Sequence, residues 1–364
     1  MSLDPLPLFS EDYFEARTKF LAAAGARGVA VASHLNPHAK GPKGEDLFTD
    51  VGTWGPDDAK AGLLLISGTH GVEGYAGSAC QIGWLQSAGN ASWPQDVKIV
   101  MIHALNPYGF AWNRRVTEDN ADLNRNCVDH GAPYPKNDGY DVLKTAIAPT
   151  DLSPETLKSA SDLFRTYAKQ HGAFALQEAV SKGQYTHPDG MYFGGRREQW
   201  SAGIFRHVVR RELGHCGHVG VVDFHTGLGP YGYGELISED AADTPAYRRA
   251  RGWWGDTVRS TKAGESVSAD VLGSVDSCIP RLLPHAEVTM TALEYGTYST
   301  LEVFEALRAD NWLHTKSDPL GPDAKQIKAD IRCAFYPDRD DWKEMVWQRG
   351  AAVLAQAVAG LRDA

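Results

Sequence analysis

The chain has 364 residues, of which 43% are hydrophobic, so it is long enough to bury a core without staples. Its formal net charge of -10 argues against nucleic acid and anionic membranes as main partners. Five cysteines without a CxxC pair, an acidic N-terminus and the absence of long apolar runs predict no disulfide framework, no signal peptide and a cytoplasmic location.

Helical and extended patterns alternate along the chain. The first helix is predicted from Glu11 to Ala24, with Ser10 as its cap and Gly25 at its end. Apolar runs predict buried strands at 63–66, 97–102, 220–224 and 288–293. Further helices are predicted at 76–87, 154–182, 201–213, 244–260 and 341–361. This alternation predicts an α/β fold, with a mixed but mostly parallel sheet covered by helices on both faces.

The stretch 129–150 is rich in proline, glycine, asparagine and aspartate. It is predicted to be a long surface loop and not a domain boundary. We therefore expect a single domain over 1–364, with an insertion around 129–200.

Candidate metal ligands follow three of the predicted strands. His70 and Glu73 follow the first, His225 the third and Glu294 the fourth. Because ligands of open α/β sheets bind at the carboxyl ends of the strands, these side chains are expected to meet. Two histidines, one carboxylate and a spare carboxylate form the residue set of a catalytic zinc site.

The sequence around these residues supports this interpretation, although each has an alternative. His70 and Glu73 are three apart in a turn bracketed by glycines, but an exposed helix start gives the same pattern. His225 has Asp223 two residues earlier, on the same face of an extended segment, while a lone histidine is more often structural. A buried Glu294 would be costly without a partner, and a metal-bound water is a natural one.

Two other polar segments also contain possible ligand or substrate-binding residues. Residues 112–126 form an aperiodic, arginine-containing stretch that either binds a carboxylate or an oxyanion, or is a solvated loop. The alternative metal cluster is His215-Cys216-Gly217-His218. Apart from His225, no second Cys/His pair follows it at the spacing of a zinc finger, so the segment is predicted to be the end of a helix.

The ordered motifs resemble those of the metallocarboxypeptidase superfamily. That superfamily joins carboxypeptidase A-like peptidases with the succinylglutamate desuccinylase and aspartoacylase branch. The sequence segments around the motif residues resemble those of a bacterial subgroup known as a domain of unknown function. The resemblance spans roughly residues 60–300, and it is carried by His70-x-x-Glu73, Arg115, Asp122-Leu123-Asn124-Arg125-Asn126, Asp223-Phe224-His225 and Glu294.

The resemblance implies a zinc-carboxypeptidase-like fold and a role for each matching residue. One Zn²⁺ would be held by His70, Glu73 and His225, with Asp122 orienting His70. Glu294 would be the general base, and Arg115 the oxyanion-stabilising residue, with Arg114 as the alternative. Asn124 and Arg125 would bind a substrate carboxylate.

Two features depart from the peptidases. Residues 267–278 lack the tyrosine expected about twenty residues before the catalytic glutamate, for which Tyr192, Tyr231, Tyr295 or Tyr298 are the possible substitutes. The loop after His225 is also unusually rich in glycine.

Three functions follow from these motifs. The first is a zinc carboxypeptidase that acts on peptides, and the second is an acylase-type hydrolase of small N-acyl amino acids, favoured if the insertion forms a lid. The third is a non-catalytic zinc-binding module, which predicts loss of the base or of an anchoring arginine. Glu294, Arg115 and Arg125 are all present.

Overall fold

The computed structural model describes residues 3–87, 93–269 and 271–363. Eight strands lie within these ranges: β1 (Ala30–Lys40), β2 (Asp46–Trp54), β3 (Ala61–Ile66), β4 (Val97–His103), β5 (His218–Tyr231), β6 (Gly234–Ser238), β7 (Val258–Ser260) and β8 (Glu287–Gly296). The described helices are α1 (Tyr13–Arg27), α2 (Gly74–Ser87), α3 (Pro107–Ala111), α4 (Asp138–Ile147), α5 (Pro154–His171), α6 (Ala173–Ser181), α7 (Trp200–Leu213), α8 (Pro245–Trp254), α9 (Val275–Leu282), α10 (Thr300–Lys316), α11 (Ala324–Phe335) and α12 (Asp340–Arg362). Single 3₁₀ turns occur at Leu6–Leu8, Gly71–Glu73 and Leu123–Arg125.

The eight strands form one mixed sheet in the order β1-β2-β4-β3-β5-β8-β6-β7. The central strands β4, β3, β5 and β8 are mutually parallel, whereas β2 and β6 pair antiparallel with the outer members of this group. Central strands buried on both faces are nearly continuous in apolar residues, and this composition made them visible in the sequence.

Helices cover both faces of the sheet, as predicted. One face packs against α1, α2, α8 and α12 through a cluster of buried side chains that includes Phe224 and Leu293. The other face packs against α7 and α9 through a second cluster that includes Val221 and Met290. The α/β fold class with helices on both faces is therefore confirmed.

Several predicted boundaries are wrong for local reasons. Helix α1 is capped by Asp12, whose side chain accepts a hydrogen bond from Glu15, and it ends at Gly28 with φ 78°, so Ser10 and Gly25 are not its caps. The predicted helix 154–182 does begin after Ser153, but it breaks into α5 and α6 at Gly172, where φ is 92°. The predicted helix 244–260 ends at Trp254, and β7 takes up its last residues.

The stretch 129–150 is not a plain surface loop. It contains α4, an amphipathic helix that Asn137 caps and whose buried face includes Leu143 and Ile147. Helices α4, α5 and α6 pack against one another, and a loop at 183–199 then leads from them to α7.

One disulfide was not predicted from the cysteine pattern. It joins Cys127, just after the 3₁₀ turn at Leu123–Arg125, to Cys278 in α9, with 6.0 Å between the Cα atoms. The two cysteines are 151 residues apart in sequence, so neither the odd number of cysteines nor the lack of a CxxC pair indicated that they would meet. Among the described helices, none combines the length and the apolar character needed to cross a membrane.

Candidate metal centre

The three predicted ligands meet at the carboxyl ends of β3 and β5. His70 leads out of β3 into the 3₁₀ turn that carries Glu73. This turn packs so tightly that a Cβ on Gly71 would overlap the backbone of Gly109. The backbone N–H of Gly71 donates a hydrogen bond of 3.1 Å to the Arg115 carbonyl, which fastens the turn to the arginine-containing loop. The glycine bracket in the sequence thus reflects a close backbone approach.

His225 and Glu294 lie inside strands and not after them, because β5 and β8 extend well beyond their predicted ends. They are register partners on neighbouring parallel strands, so their side chains point to the same face. Glu235 on β6 is the partner of Glu294 on its other side.

The nitrogen and oxygen atoms of the three ligands converge on one point. The Nδ1 atoms of His70 and His225 are 3.2 Å apart. Each lies 3.0 Å from an oxygen of Glu73. Ligand atoms bound tetrahedrally at about 2.0–2.2 Å from one ion lie roughly 3.3 Å from each other. Among the described residues, this is the one group of three or more such side chains with the geometry of a metal site.

A carboxylate lies behind each histidine. Asp122 Oδ1 is 3.1 Å from Nε2 of His70, and Asp223 Oδ2 is 2.9 Å from Nε2 of His225. Thr69 donates to Asp223 and so fixes its orientation. A proton held on Nε2 by each carboxylate leaves the lone pair of Nδ1 directed at the centre, which is the arrangement that metal-ligating histidines need.

The electrostatics of the metal-free site fit a cation. Burial opposes the negative charge of Glu73, yet His70 and His225 hold its pKa below the usual range. Burial likewise opposes the charge of Asp122, and Arg115 keeps its pKa well below the usual value. The side chains of Glu73, Asp122 and the two histidines are almost completely buried. The centre therefore holds ionised carboxylates in a dry environment, where a metal ion would be bound strongly.

Glu294 has the properties of a proton-transfer group. Burial and the nearby carboxylate of Glu73 raise its pKa to about 8. Its Oε1 accepts a hydrogen bond of 2.9 Å from the backbone N–H of Leu228, in the glycine-rich loop after His225. That loop thus positions the carboxylate.

The structure separates the two candidate arginines. Arg115 donates to Glu73 and to Asp122, at 3.0 Å each, and so contacts the metal centre. Arg114 instead pairs with Asp310 at 3.2 Å and donates to Asn120, away from the ligands. Arg115, and not Arg114, therefore lies beside the candidate metal centre, and its oxyanion-stabilising role stays a prediction.

Asn124 and Arg125 have structural contacts of their own. Asn124 Oδ1 accepts from the N–H of Val275 at the start of α9. Two guanidinium nitrogens of Arg125 donate to the carbonyls of Asn124 and Ser181, while its buried Nε has no partner among the described residues. Each terminal nitrogen of Arg125 keeps a second N–H beyond these bonds, and the binding of a substrate carboxylate by Arg125 stays a prediction.

Of the four candidate tyrosines, Tyr192 lies beside the site arginines. Its ring is 5.7 Å from the guanidinium carbon of Arg115 and 5.9 Å from that of Arg125. Its backbone has a φ of 54°, an uncommon conformation for a tyrosine and one typical of functional loops. The other three hydroxyls bond elsewhere: Tyr231 to Asp341, Tyr295 to the Val346 carbonyl and Tyr298 to Cys333.

The rival cluster at 215–218 does not form a site. The thiol of Cys216 is buried against the carbonyl of Ala59. His218 is the first residue of β5, whereas His225 lies towards the carboxyl end of that strand. Sequence reasoning noted Asp223 but not its bond to His225, although its spacing of two along a strand gives that contact directly.

Comparison with known proteins gives a family and a set of distant structural likenesses. The family described as "Protein of unknown function (DUF2817)" matches residues 9–349. No curated protein matches the chain. Similar solved structures include bovine thrombin-activatable fibrinolysis inhibitor in complex with tick carboxypeptidase inhibitor, with 12% identity over 98% of each chain and a TM-score of 0.47.

Two bacterial structures are similar at the same level. A metallo-carboxypeptidase from Pseudomonas aeruginosa in complex with (2-guanidinoethylmercapto)succinic acid shares 12% identity over 96% of this chain and 69% of its own, with a TM-score of 0.41. An aspartoacylase family protein from Mesorhizobium loti shares 13% identity over 79% and 67%, with a TM-score of 0.35. These likenesses are distant, and the chemistry of the site rests on its own geometry.

Proposed function

The chain belongs to the DUF2817 family, and we propose that it is a zinc-dependent hydrolase that cleaves an amide or peptide bond next to a free carboxylate. The observation that carries the proposal is the convergence of His70, Glu73 and His225 on one point, with Glu294 on the neighbouring strand. Two imidazole nitrogens and one carboxylate suit Zn²⁺ and leave a position open for water. When bound, the ion supplies an acidified water and a Lewis acid.

Glu294 acts as the general base and then as the proton donor. A carboxyl group with a pKa of about 8 in the metal-free protein holds a proton readily, and a cation beside it would lower that value towards working pH. Its carboxylate takes a proton from the attacking water and passes it to the leaving amine. Leu228 keeps Oε1 in place during both transfers.

Arg115 stabilises the oxyanion that develops on the substrate carbonyl. Its side chain is the most exposed of the ion-paired groups at the centre, with 16% of its surface accessible. The contacts with Glu73 and Asp122 hold the guanidinium at the edge of the site. The guanidinium of Arg125 anchors the free carboxylate of the substrate, so the position of cleavage is set from one end of the molecule.

A second candidate is an acylase that acts on small N-acyl amino acids. The loop at 183–199 is fastened to the site, because the N–H of Asp122 donates to the Phe193 carbonyl at 2.7 Å and Tyr185 donates to the Arg125 carbonyl at 2.6 Å. A loop held this close to the arginines leaves less room for a long peptide. The non-catalytic alternative is disfavoured because Glu294, Arg115 and Arg125 are all present.

The test is the metal content of protein purified without chelator, together with amine release from short peptides and N-acyl amino acids. We expect about one zinc per chain, as one three-ligand site holds one ion, and turnover that a chelator abolishes. The panel separates peptidase from acylase. Absence of bound metal would contradict the proposal.

A further inference from the structure

The loop between α6 and α7 is held by two asparagine side chains. The amide nitrogen of Asn120 donates to two backbone carbonyls of this loop, at 2.9 Å to Pro188 and at 3.0 Å to Gly190. Asn311 in α10 donates at 3.0 Å to the carbonyl of Asp189, which lies between them. Three successive carbonyls are therefore fixed by side chains from two distant parts of the chain, which together form an amide clamp.

Asn120 has the conformation and the partners of a fixed anchor. Its φ is 60°, in the left-handed region that asparagine and aspartate adopt more readily than most residues. The residue is 8% exposed, and its Oδ1 accepts a hydrogen bond of 2.6 Å from Nη2 of Arg114, which is itself bonded to the buried Asp310. Both donors and the acceptor of the Asn120 amide thus have partners. A buried polar group that is fully satisfied in this way specifies one arrangement of its neighbours.

The clamped carbonyls lead directly to Tyr192. This tyrosine has a φ of 54°, and its half-buried ring lies beside the guanidinium groups of Arg115 and Arg125. A left-handed conformation is costly for a residue of this size and persists only where the surroundings determine it. The N–H of Gln184 holds the Tyr192 carbonyl at 3.1 Å, and the clamp fixes the backbone that precedes the tyrosine.

We propose that Asn120 is a positioning residue for Tyr192. Through the clamped carbonyls it holds the tyrosine beside Arg115 and Arg125, where the hydroxyl contacts the substrate. The inference rests on the proposed hydrolase function and deepens it, because it makes Tyr192 part of a preformed wall of the site and not of a segment that closes after substrate binds. A contact that is already ordered in the free protein costs no ordering entropy during the reaction.

The test is a double-mutant cycle on the zinc-loaded protein, with the best substrate among the peptides and N-acyl amino acids. Asn120→Asp keeps the shape of the side chain, its tolerance of a positive φ and the bond from Arg114, but a carboxylate cannot donate to the two carbonyls. We expect this variant to keep its zinc and to lose about tenfold in kcat/KM. In the Tyr192→Phe background the further loss should be less than about twofold, because the contact that the clamp positions is already gone. Equal losses in the two backgrounds, or full activity in Asn120→Asp, would overturn the inference.

Asn113→Asp is the matched control. Asn113 lies in the same arginine-containing loop at a φ of 47°, and its Oδ1 accepts a bond from the Tyr75 hydroxyl that an aspartate retains. This control adds the same charge to the loop and should keep the activity of the wild type; a loss equal to that of Asn120→Asp would assign the effect to charge and overturn the inference. If Asn120→Asp does not fold, Asn311→Asp, which removes the donor to the Asp189 carbonyl, takes its place in the cycle, and the same outcomes contradict the inference.

A chemical probe distinguishes failure of this inference from failure of the hydrolase proposal. Tetranitromethane nitrates accessible tyrosine rings, and mass spectrometry gives the rate at each ring in the protein as purified, without substrate. In Asn120→Asp, Tyr192 should be nitrated faster than in the wild type, relative to Tyr233, which is 42% exposed. An unchanged relative rate would overturn the inference whether or not any substrate is hydrolysed. A raised rate without hydrolysis of any substrate would support the clamp and count against the hydrolase alone.

Discussion

Glu294 lies directly beside His225 on the neighbouring parallel strand, and the backbone of Leu228 holds its carboxylate in place. Glu294 is thus the neighbour of a proposed metal ligand, and it lies outside the cluster of His70, Glu73 and His225. Replacement of the base should therefore separate binding of the metal from turnover.

We expect Glu294→Gln to retain its zinc and to lose about 10²- to 10⁴-fold in kcat, the usual contribution of general acid–base catalysis. His70→Ala should lose the metal itself. Elemental analysis and amine release on the same preparations give both readouts. Near-full activity in Glu294→Gln would assign the base to another residue.

The carboxylates behind the histidines should tune affinity for the metal. Asp223→Asn removes the charge that holds the Nε2 proton of His225 and should weaken zinc binding by about 10–100-fold. Competition with a chromogenic chelator measures the change. Asp256→Asn is the matched control, since its side chain is solvent-exposed. An unchanged affinity in Asp223→Asn would mean that the histidine is oriented by its packing alone.

Much of this site could be predicted from the sequence because its residues directly follow apolar runs that clearly indicate buried strands. The alternation of strands and helices predicted the α/β class. The rule that ligands bind at the carboxyl ends of parallel strands predicted that His70, Glu73, His225 and Glu294 would meet. The edge strand β1 was missed because it is largely exposed and polar, with Pro37 in its middle. Helix α4 was missed because turn-forming residues at its start concealed its amphipathic face.

Contacts between segments far apart in sequence were beyond the reach of pattern reasoning. The choice between Arg114 and Arg115 depends on Asp310, which lies almost two hundred residues downstream. Asp276 gave no signal because a lone aspartate after Ser274 reads as an ordinary helix start. Its burial follows only from the packing of α9 on the sheet.

The two neighbouring arginines should respond differently to substitution. Arg114→Ala removes one partner of the buried Asp310, which retains Lys328, and should lower the free energy of unfolding by about 1–3 kcal/mol. Arg115→Ala should leave stability closer to that of the wild type and lower kcat by roughly 10²-fold, as for loss of an oxyanion donor. Chemical denaturation and steady-state kinetics at saturating zinc separate the two. The reverse pattern would move the oxyanion role to Arg114.

Tyr192 should contact the substrate. Its ring lies beside the guanidinium groups of Arg115 and Arg125, on a strained backbone that packing must hold. Tyr192→Phe retains the ring and should lower kcat/KM by about tenfold, the cost of one hydrogen bond to a charged group. Tyr298→Phe, which loses only a contact with Cys333, is the control and should keep full activity. Equal kinetics for the two variants would remove Tyr192 from the site.

Asp276 should make the metal-free protein less stable as the pH rises. Its pKa is raised in the folded state, chiefly by burial and then by Asp223 and Glu239. In the unfolded chain Asp276 loses its proton above the usual aspartate pKa of about 3.9, whereas in the folded chain it keeps the proton to a higher pH. The stability contributed by the protonated form is therefore lost as the pH rises from the unfolded pKa towards the folded pKa. Its place at the start of α9 favours the charged form, but burial outweighs this.

We consequently expect Asp276→Asn to be more stable than the wild type at pH 8 by about 1–3 kcal/mol, the usual cost of an unsatisfied buried polar group. The difference should shrink as the pH falls towards 4, because the wild-type carboxyl is then protonated in both states. Urea unfolding of the metal-free proteins between pH 5 and 8 measures it, with Asp256→Asn as the reference. If Asp276→Asn is the less stable protein at pH 8, the carboxylate already has a partner in the folded protein.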